Sequence, residues 1–387
     1  MRNIKIIIFF LSSICFLFSC DLDRVNLDEV FLPNYSITLG SLQVAENTIS
    51  DIIVLSDTEY LMAVERNSSQ IDLIKFTQIS VDDTWDIETE NLLNIGEGSI
   101  RFFDSIPSGF LIGFQDVNNE FTIIKINSNF EIENTASSFE SFVDTFYNSS
   151  EGLDFYNFSV TDEGYHLAGR VSSQGTNFSC LLNVNLELEP QWFKTYFEKG
   201  VIQDVSSIGI DSFYLVHNSP VGADLILDNI DGTAYKKFDL SINELFFGGE
   251  SIVSNDKLFL SGIDDNVART IEINIDNQSA FINEIEIYPV NDFRAILITR
   301  DNILGAGIQP ENTDNYLFTS ELGPIGSIWC NRYIDSKFQR IIDLEELPER
   351  GIVVVSTIEN ENNYFINITR VDEEGATINN QFSENCL

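Results

Sequence analysis

The sequence has little positive charge. It contains 21 Lys and Arg residues against 61 Asp and Glu residues, which gives a formal net charge of -40. Because nucleic-acid phosphates would be repelled rather than neutralised, this balance argues against a nucleic-acid partner. An acidic surface keeps a secreted protein soluble, and it is compatible with neutral ligands or cations.

Histidine is scarce and catalytic motifs are lacking. The two histidines are His166, which is predicted to be a packed or surface residue within a strand, and His217, which ends a predicted strand and is the better candidate for a functional histidine. No GxSxG nucleophile elbow, P-loop or dinucleotide fingerprint occurs. A glycosidase acid pair cannot be picked out among so many carboxylates. We therefore predict no catalytic residues and no cofactor, and we favour a protein that is not an enzyme.

Cysteines are few and lack metal-site spacing. Cys15 and Cys20 lie in the N-terminal segment, and the other three are Cys180, Cys330 and Cys386. Without a CxxC or Cys/His pattern, neither a zinc site nor any other metal site is predicted. Two alternatives remain for the three later cysteines. An oxidising compartment would permit a bridge between Cys330 and Cys386, or the thiols are buried and unreactive.

The N-terminus has the features of a targeting segment. Arg2 and Lys5 precede an apolar run over 6–18, which is shorter than the about 20 residues that a membrane span needs. The run ends in Leu17-Phe18-Ser19-Cys20, which resembles the bacterial lipoprotein signal, although Phe18 stands where that family prefers a small residue. The resemblance implies that residues 1–19 are a signal peptide and that Cys20 carries the lipid, as in palmitate-bearing lipoproteins. A plain signal peptide or anchor is the alternative.

The residues after Cys20 indicate to which membrane such a lipoprotein would be sorted. Asp21 and Asp23 resemble an inner-membrane retention signal of enterobacterial lipoproteins, but they also resemble a surface-export signal of Bacteroidota. The Asn-, Ile- and Phe-rich composition favours the second group, so we predict an outer-membrane lipoprotein of the cell envelope with its membrane contact through the lipid. Residues 20–45 are predicted to be a tether that ends in a strand over Ser36 to Val44. We expect this strand to help close the domain.

A repeat occupies the rest of the chain. Its second strand recurs seven times at intervals of 45 to 55 residues, and a polar hairpin and a third strand follow each copy. The second-strand copies are 58–64, 108–114, 163–169, 211–217, 256–262, 301–307 and 349–355. The third-strand copies are 71–76, 121–127, 178–185, 223–231, 268–276, 315–322 and 364–372.

Alternating β-branched and aromatic residues between Asp, Asn and Gly turns predict an all-β protein of antiparallel strands. Four strands in a unit of this length is the period of a propeller blade, and one such sheet needs neighbours to bury both faces. We therefore predict a seven-bladed β-propeller of four-stranded antiparallel blades over residues 46–387. Two β-sandwiches are the alternative.

The third copy carries a family resemblance. Gly164-Tyr165-His166-Leu167-Ala168-Gly169 is followed by Trp192, Lys194 and Tyr196, and Asp231-Gly232 and Glu374-Gly375 form turn-like pairs. These elements resemble the blade repeat of Bacteroidota secreted and lipoprotein β-propellers. The fourth copy departs from it, with Ser212 and His217 in place of the two glycines. The resemblance implies fold and export, and it implies no single activity.

Loops between second and third strands, and loops from fourth strands to the next first strands, are predicted to form the ligand face, together with an insertion over 137–152. The insertion carries aromatic residues that could stack on a sugar or peptide or could pack on one another. Asp264-Asp265-Asn266 fits turn chemistry better than a calcium site. The candidate ligand-face residues are Arg66, Asn118, Phe142, Phe146, Tyr147, Arg170, His217, Asp265 and Asp314.

The sequence thus favours a lipid-anchored, non-catalytic binding or scaffold protein for a glycan, a peptide or an envelope partner. The first alternative is a surface polysaccharide hydrolase or lyase that uses acids at the channel mouth. The second is a calcium-dependent adhesin.

Overall fold

A computed structural model describes most of the chain after residue 34. The described ranges are 35–44, 51–66, 68–81, 84–137, 139–145, 152–207, 212–219, 222–233, 235–239, 251–254, 257–264, 267–274, 280–284, 292–299, 302–311, 314–323, 326–333, 338–348, 351–360, 363–372 and 382–385. Among the predicted functional residues, Cys20, Phe146, Tyr147 and Asp265 lie outside them. Within these ranges, no helix combines the length and apolar character needed to cross a membrane.

The structure is all-β, with 28 described strands and one short helix, α1 (Phe139–Val143). The first fourteen strands are β1(Tyr35–Val44), β2(Ile52–Ser56), β3(Glu59–Glu65), β4(Gln70–Val81), β5(Thr84–Ile106), β6(Gly109–Asp116), β7(Phe121–Asn127), β8(Ile132–Ala136), β9(Gly152–Thr161), β10(Gly164–Ser173), β11(Thr176–Asn185), β12(Pro190–Lys199), β13(Val201–Ser207) and β14(Ser212–Ser219). The others are β15(Gly222–Asn229), β16(Lys236–Asp239), β17(Ser251–Ser254), β18(Lys257–Asp264), β19(Val267–Asn274), β20(Ala280–Glu284), β21(Asp292–Thr299), β22(Asn302–Glu311), β23(Asp314–Gly323), β24(Gly326–Tyr333), β25(Phe338–Leu347), β26(Gly351–Asn360), β27(Asn363–Asp372) and β28(Phe382–Asn385).

The strands form antiparallel sheets in which neighbours follow chain order, except that β1 pairs with β27 and β28 with β24. The sheet orders are β2-β3-β4-β5-β6-β7-β8, β12-β11-β10-β9, β13-β14-β15-β16, β17-β18-β19-β20, β21-β22-β23-β24-β28 and β1-β27-β26-β25. Each predicted copy of the second strand is a strand in the structure, from β3 to β26, and so is each copy of the third strand, from β4 to β27. The alternation of apolar residues therefore located these strands correctly.

The first strands of successive units contact one another in a closed cycle. The contacting pairs are β2 with β5, β5 with β9, β9 with β13, β13 with β17, β17 with β21, β21 with β25, and β25 with β2. A cycle of antiparallel sheets that returns to its start is the organisation of a β-propeller. Two separate β-sandwiches would not produce this cycle.

The two ends of the cycle are joined by one ladder and two polar links. Strand β1 pairs with β27, so the N-terminal strand completes the C-terminal sheet, as the sequence analysis expected of Ser36 to Val44. The backbone N–H of Ile52 donates to Asp343 Oδ2 at 2.7 Å. Arg370, which is buried, donates to the carbonyl oxygen of Asp57 and to Gln78 Oε1.

An apolar cluster fills the same junction. Val44, Ile52, Met62, Val353 and Ile368 belong to one group of fully buried side chains that spans the first and last sheets. Burying side chains of this size stabilises a fold by about 1.5–3 kcal/mol each, so the apolar contacts outweigh the polar links in free energy. The polar links contribute specificity of alignment, because a hydrogen bond is directional and fixes the register of the sheets it joins.

One strand belongs to two units. Residues 84–97 of β5 pair with β4, and residues 98–106 pair with β6. At the change of partner, a Cβ on Gly98 would collide with the carbonyl oxygen of Gln115. A glycine is therefore required where the strand passes from one partner to the next.

The motif Trp192, Lys194 and Tyr196 anchors its sheet to the next. Lys194 Nζ donates to Asp228 Oδ2 at 2.5 Å, and the Tyr196 hydroxyl donates to the same atom at 3.0 Å. Asp228 is fully buried, so the ammonium group and the hydroxyl compensate its desolvation. Trp192 stacks on Phe213 with 6.2 Å between ring centroids. The most recognisable residues of the repeat therefore have a structural role.

We predict that Asp343→Ala destabilises the protein by about 1–3 kcal/mol, because the buried N–H of Ile52 loses its acceptor. Asp343→Asn keeps an acceptor oxygen and should cost less. Urea denaturation of both variants measures the difference. Equal loss in the two variants would show that the carboxylate acts through its charge rather than by accepting this hydrogen bond.

The C-terminal strand allows a prediction about the remaining cysteines. Cys180 is a free, buried thiol whose pKa is raised by burial. Cys386 lies outside the described residues, but it directly follows Asn385, whose partner in the β24–β28 ladder is Asn331, the neighbour of Cys330.

We therefore predict that Cys330 and Cys386 form a disulfide when the full chain is exposed to oxidised glutathione, which accepts the two electrons by thiol–disulfide exchange. The bond should stabilise the fold by about 2–4 kcal/mol. Alkylation of the unfolded chain followed by intact-mass measurement should label only Cys180 among these three until a reductant is added. Labelling of all three after oxidation would contradict the prediction.

Candidate functional site

Bulges place polar side chains at matching positions of several first strands. The pairing register shifts by one residue at Arg101 in β5, at Tyr156 in β9, at Gln203 in β13 and at Arg294 in β21. A bulge leaves one residue out of the ladder and redirects its side chain. The side chain of Arg294 lies outside the described part of the structure.

An arginine–carboxylate cluster forms at two of these bulges. We define it as Arg101, Gln115, Asp154, Tyr156 and Arg170. Arg101 Nε donates to Asp154 Oδ1 at 2.7 Å, and its Nη2 donates to Gln115 Oε1 at 2.7 Å. Arg170 Nη2 lies 3.5 Å from Asp154 Oδ2, and its guanidinium lies 5.6 Å from the centroid of the Tyr156 ring. The cluster joins β5 and β6 to β9 and β10.

The charged side chains of the cluster differ in their exposure to solvent. The Asp154 side chain is 6% exposed, whereas the Arg101 side chain is 17% exposed and that of Arg170 is 39% exposed. Burial and the neighbouring Asp154 carboxylate raise the pKa of Tyr156, so its hydroxyl stays protonated. Two guanidinium groups thus share one buried carboxylate, and the more exposed guanidinium has the longer contact with it.

The other predicted ligand-face residues are distributed over separate contacts. Arg66 Nε donates to Asp72 Oδ2 at 3.1 Å. Asn118 is exposed in the turn after β6, where its backbone N–H donates to Asp116 Oδ1. Phe142 is half-buried and packs against the apolar cluster that contains Phe139 and Val143. Of the predicted residues, only Arg170 belongs to the arginine–carboxylate cluster.

His217 and Asp314 have less accessible settings. His217 is fully buried in β14, with its Nδ1 3.4 Å from Asp224 Oδ2, to which Lys237 also binds at 2.9 Å. Its burial makes direct contact with a large ligand unfavourable. Asp314 begins β23 at the turn after β22, and its side chain lies outside the described part.

His166 is a structural residue in this fold. It is buried, its Nδ1 lies 2.9 Å from Ser207 Oγ, and its ring packs against those of Trp192 and Phe213. Burial lowers its pKa to about 4, so it is neutral at pH 7. The sequence left a packed and a surface strand position open for His166, and the structure has the packed one.

Two cavities lie near the turns between first and second strands. The first has a volume of about 470 Å³ and is lined by Asp104 and Glu345, among other residues. The second has a volume of about 620 Å³ and is lined by Lys125, Tyr165 and Glu187, among others. These turns are at the opposite end of the strands from the predicted ligand face, because successive turns of a meander alternate between the two ends.

Three carboxylates with raised pKa values lie in or beside the first cavity, and we call them the cavity carboxylates. Asp104 and Glu345 line the cavity, and Asp51 lies beside it, where it accepts a hydrogen bond from the Phe103 N–H. Desolvation raises the pKa of Asp51 to about 8, with a smaller contribution from the charge of Asp104. Desolvation, followed by the charge of Asp104, raises that of Glu345 to about 7. Asp104 is accessible from the cavity, but the surrounding protein atoms restrict its hydration and raise its pKa as well. In the described residues, no group of three or more His, Cys, Asp or Glu side chains has the arrangement of a metal site.

The comparisons with known proteins found only distant likenesses. No protein-family model matches the chain, and no curated protein matches it. Among solved structures, the Dos1 propeller has a TM-score of 0.49 at 11% identity, covering 92% of this chain and 86% of its own. Apo AztD from Citrobacter koseri has a TM-score of 0.47 at 11% identity, covering 92% of each chain.

A third similar structure is the extracellular domain of the putative one-component system BT4673 from B. thetaiotaomicron. Its TM-score is 0.49 at 10% identity, and the match covers 87% of this chain and 40% of that chain.

The sequence analysis missed Arg101, Asp154 and Tyr156 because it looked for ligand residues in loops. A signal for two of them was present. Arg101 and Tyr156 precede successive second-strand copies by the same number of residues, since Ser108 and Glu163 each follow seven positions later. Aligning the first strands on the second would have brought the two bulge positions together. Their partner Asp154 could not be found in that way, because its contact crosses between sheets.

We predict that the cavity carboxylates make stability fall as pH rises. Asp51 and Glu345 bind protons more tightly in the folded state than their usual pKa values near 4 allow in the unfolded chain. Below about pH 4 both groups are protonated in the folded and the unfolded state, so they do not change stability. As pH rises toward 8 the unfolded chain releases these protons more readily than the folded state, and the folded state loses stability progressively. Thermal melting across pH 5 to 8.5 measures the slope.

Asp51→Asn and Glu345→Gln should each reduce that slope and raise the melting temperature at pH 8 more than at pH 5. The matched control is Asp116→Asn, which removes a carboxylate whose pKa is lowered by hydrogen bonds, the largest from the Glu120 N–H. It should leave the slope between pH 5 and 8 unchanged. An unchanged slope in both cavity variants would contradict the assignment.

Proposed function

We propose that this protein is a cell-envelope β-propeller of seven four-stranded blades that acts as a non-catalytic binding or scaffold protein. The blade division counts β5 twice, as the last strand of one blade and the first of the next. The sheet orders and the cycle of first strands support it. In this division, β1 is the fourth strand of the last blade, and β28 is an additional strand on the sixth.

The proposal includes attachment to the membrane through a lipid on Cys20, as an outer-membrane lipoprotein. Its support is the sequence alone: a basic start, a short apolar run and Leu17-Phe18-Ser19-Cys20. A glycan, a peptide or another envelope protein would then be bound outside the bilayer.

The arginine–carboxylate cluster carries the proposal of a binding role. It brings charged, amide and phenolic groups together on rigid strands, and rigid elements hold a recognition site more precisely than loops do. Asp154 is buried and engaged by Arg101 at 2.7 Å, so it is poorly suited to act as a free base. The cluster is thus better suited to holding a ligand than to transforming it.

A surface polysaccharide hydrolase or lyase is the second candidate, and the cavity carboxylates favour it. A carboxylic acid whose pKa is near 7, such as Glu345, can act as a general acid. Against it, the described lining of this cavity carries no basic side chain, and Arg101 is bound to Asp154 and Gln115 rather than to the cavity acids.

The test compares two matched blocking substitutions. Asn118 and Asn129 are both exposed, and each donates its backbone N–H to the side chain two residues earlier, but their turns lie at opposite ends of β7. The full chain in detergent micelles, Asn118→Trp and Asn129→Trp are each applied to a glycan array and to a pull-down from envelope extract.

We expect a retained glycan or envelope protein whose binding Asn118→Trp weakens at least tenfold and Asn129→Trp leaves unchanged. The reverse pattern would move the site to the cavity end. Turnover of a bound polysaccharide that Glu345→Gln abolishes would establish the hydrolase or lyase instead.

A further inference from the structure

The exposed guanidinium of Arg170 has more hydrogen-bonding capacity than its described contacts use. A guanidinium carries five N–H donors in a planar fork that matches a carboxylate. The contacts described for it are Asp154 at 3.5 Å and the face of Tyr156 at 5.6 Å. Stacking on the ring limits the orientations of the guanidinium, which lowers the entropy cost of binding an anion.

The neutralisation of Asp154 does not depend on Arg170. Arg101 already donates to that carboxylate at 2.7 Å, which is the length of a charge-assisted hydrogen bond. One positive charge therefore remains in excess among Arg101, Asp154 and Arg170. In a chain with a net charge of -40, such a local excess attracts an anion that the rest of the surface repels.

Polar groups surround this excess charge. Gln115 contacts Arg101, and Gln203 is half-buried at the next bulge. The acidic Glu65 also interacts with Arg101, burial raises the pKa of its carboxyl, and Ser99 Oγ donates to its Oε2 at 3.1 Å. Among the described turns between second and third strands, Val117 is the exposed large apolar residue. Amides and hydroxyls suit a ligand rich in hydroxyl groups better than a peptide, which would need apolar anchors.

We infer that Arg170, supported by Tyr156 and Arg101, forms a subsite for the carboxylate of a uronic acid residue in an acidic saccharide. The inference rests on the proposed function, because it assumes that this face is the working surface. Arg170 would bind the carboxylate directly, while Arg101 keeps Asp154 neutralised and thereby prevents it from repelling the ligand.

The experiment uses the full chain in detergent micelles and a panel of uronate-containing oligosaccharides, each paired with its methyl ester. The ester keeps the size and the hydroxyl groups of the sugar but removes the charge. Titration calorimetry should give at least tenfold tighter binding of one or more free acids than of the matching esters, and the preference should shrink as salt is raised.

The protein variants are matched in the same way. Arg170→Gln removes the charge and keeps amide donors, so it should abolish the preference for the free acid. Arg170→Lys should keep part of it. Lys75→Gln removes a cation that is bound to Glu59 at 3.1 Å and is not among the candidate ligand-face residues, and it should leave the preference unchanged. Equal melting temperatures of the Arg170 variants and the unmodified protein show that folding is intact.

The outcomes separate the subsite from the proposed function. If the protein binds a neutral glycan or an envelope protein but prefers none of the free acids, the subsite is wrong and the binding role stands. If Lys75→Gln and Arg170→Gln lower the preference equally, general charge rather than this subsite is responsible. If the full chain retains no ligand in either screen, both proposals fail.

Discussion

The architecture depends on joining the two ends of the chain. Every sheet can bury its faces only if it has a neighbour on each side, so the first and last sheets must meet. Strand β1 pairs with β27, Asp343 accepts the N–H of Ile52, and one apolar cluster extends across both sheets. These contacts connect residues about as far apart in sequence as the chain allows. Forming such non-local contacts has a large entropic cost of loop closure, and the free energy gained by burying apolar area at the junction offsets that cost.

The same closed arrangement accounts for the polar cluster. Once the first strands face one another, a bulge in one of them directs its extra side chain toward the neighbouring strand. Arg101 thereby reaches Asp154, which belongs to the next first strand. A buried carboxylate would destabilise the protein if it were left alone, so the arginine is structurally required. Arg170 comes from another strand and is the partner that the fold needs least. Structural and recognition roles are thus divided between two residues of the same type.

The sequence revealed the strands well and the interactions between sheets poorly. Strands such as β10 and β11 follow from the alternation of apolar residues, and the prediction that Ser36 to Val44 helps close the domain agrees with β1. The bulges at Arg101 and Tyr156 are not visible in either strand alone, because a one-residue shift in pairing leaves the local pattern of residue types unchanged, and only their equal spacing from the second strand marks them. The turn at Leu188 shows another limit of the repeat pattern. Leu188 has a φ of 62° at the turn position that Gly232 occupies in the next sheet, and its burial offsets the cost of the left-handed backbone.

The continuous strand β5 has a consequence for how such a chain can vary. Residues 84–106 pass from β4 to β6 without an intervening loop, and Gly98 permits the close approach at the crossing. Additional residues at this junction would have to interrupt the ladders on both sides. The connection between β8 and β9 is different, since it contains α1 and lies outside the strand ladders. Evolutionary insertions should therefore accumulate at the second junction and be excluded from the first, and the same difference indicates where the gene could be divided to append another domain.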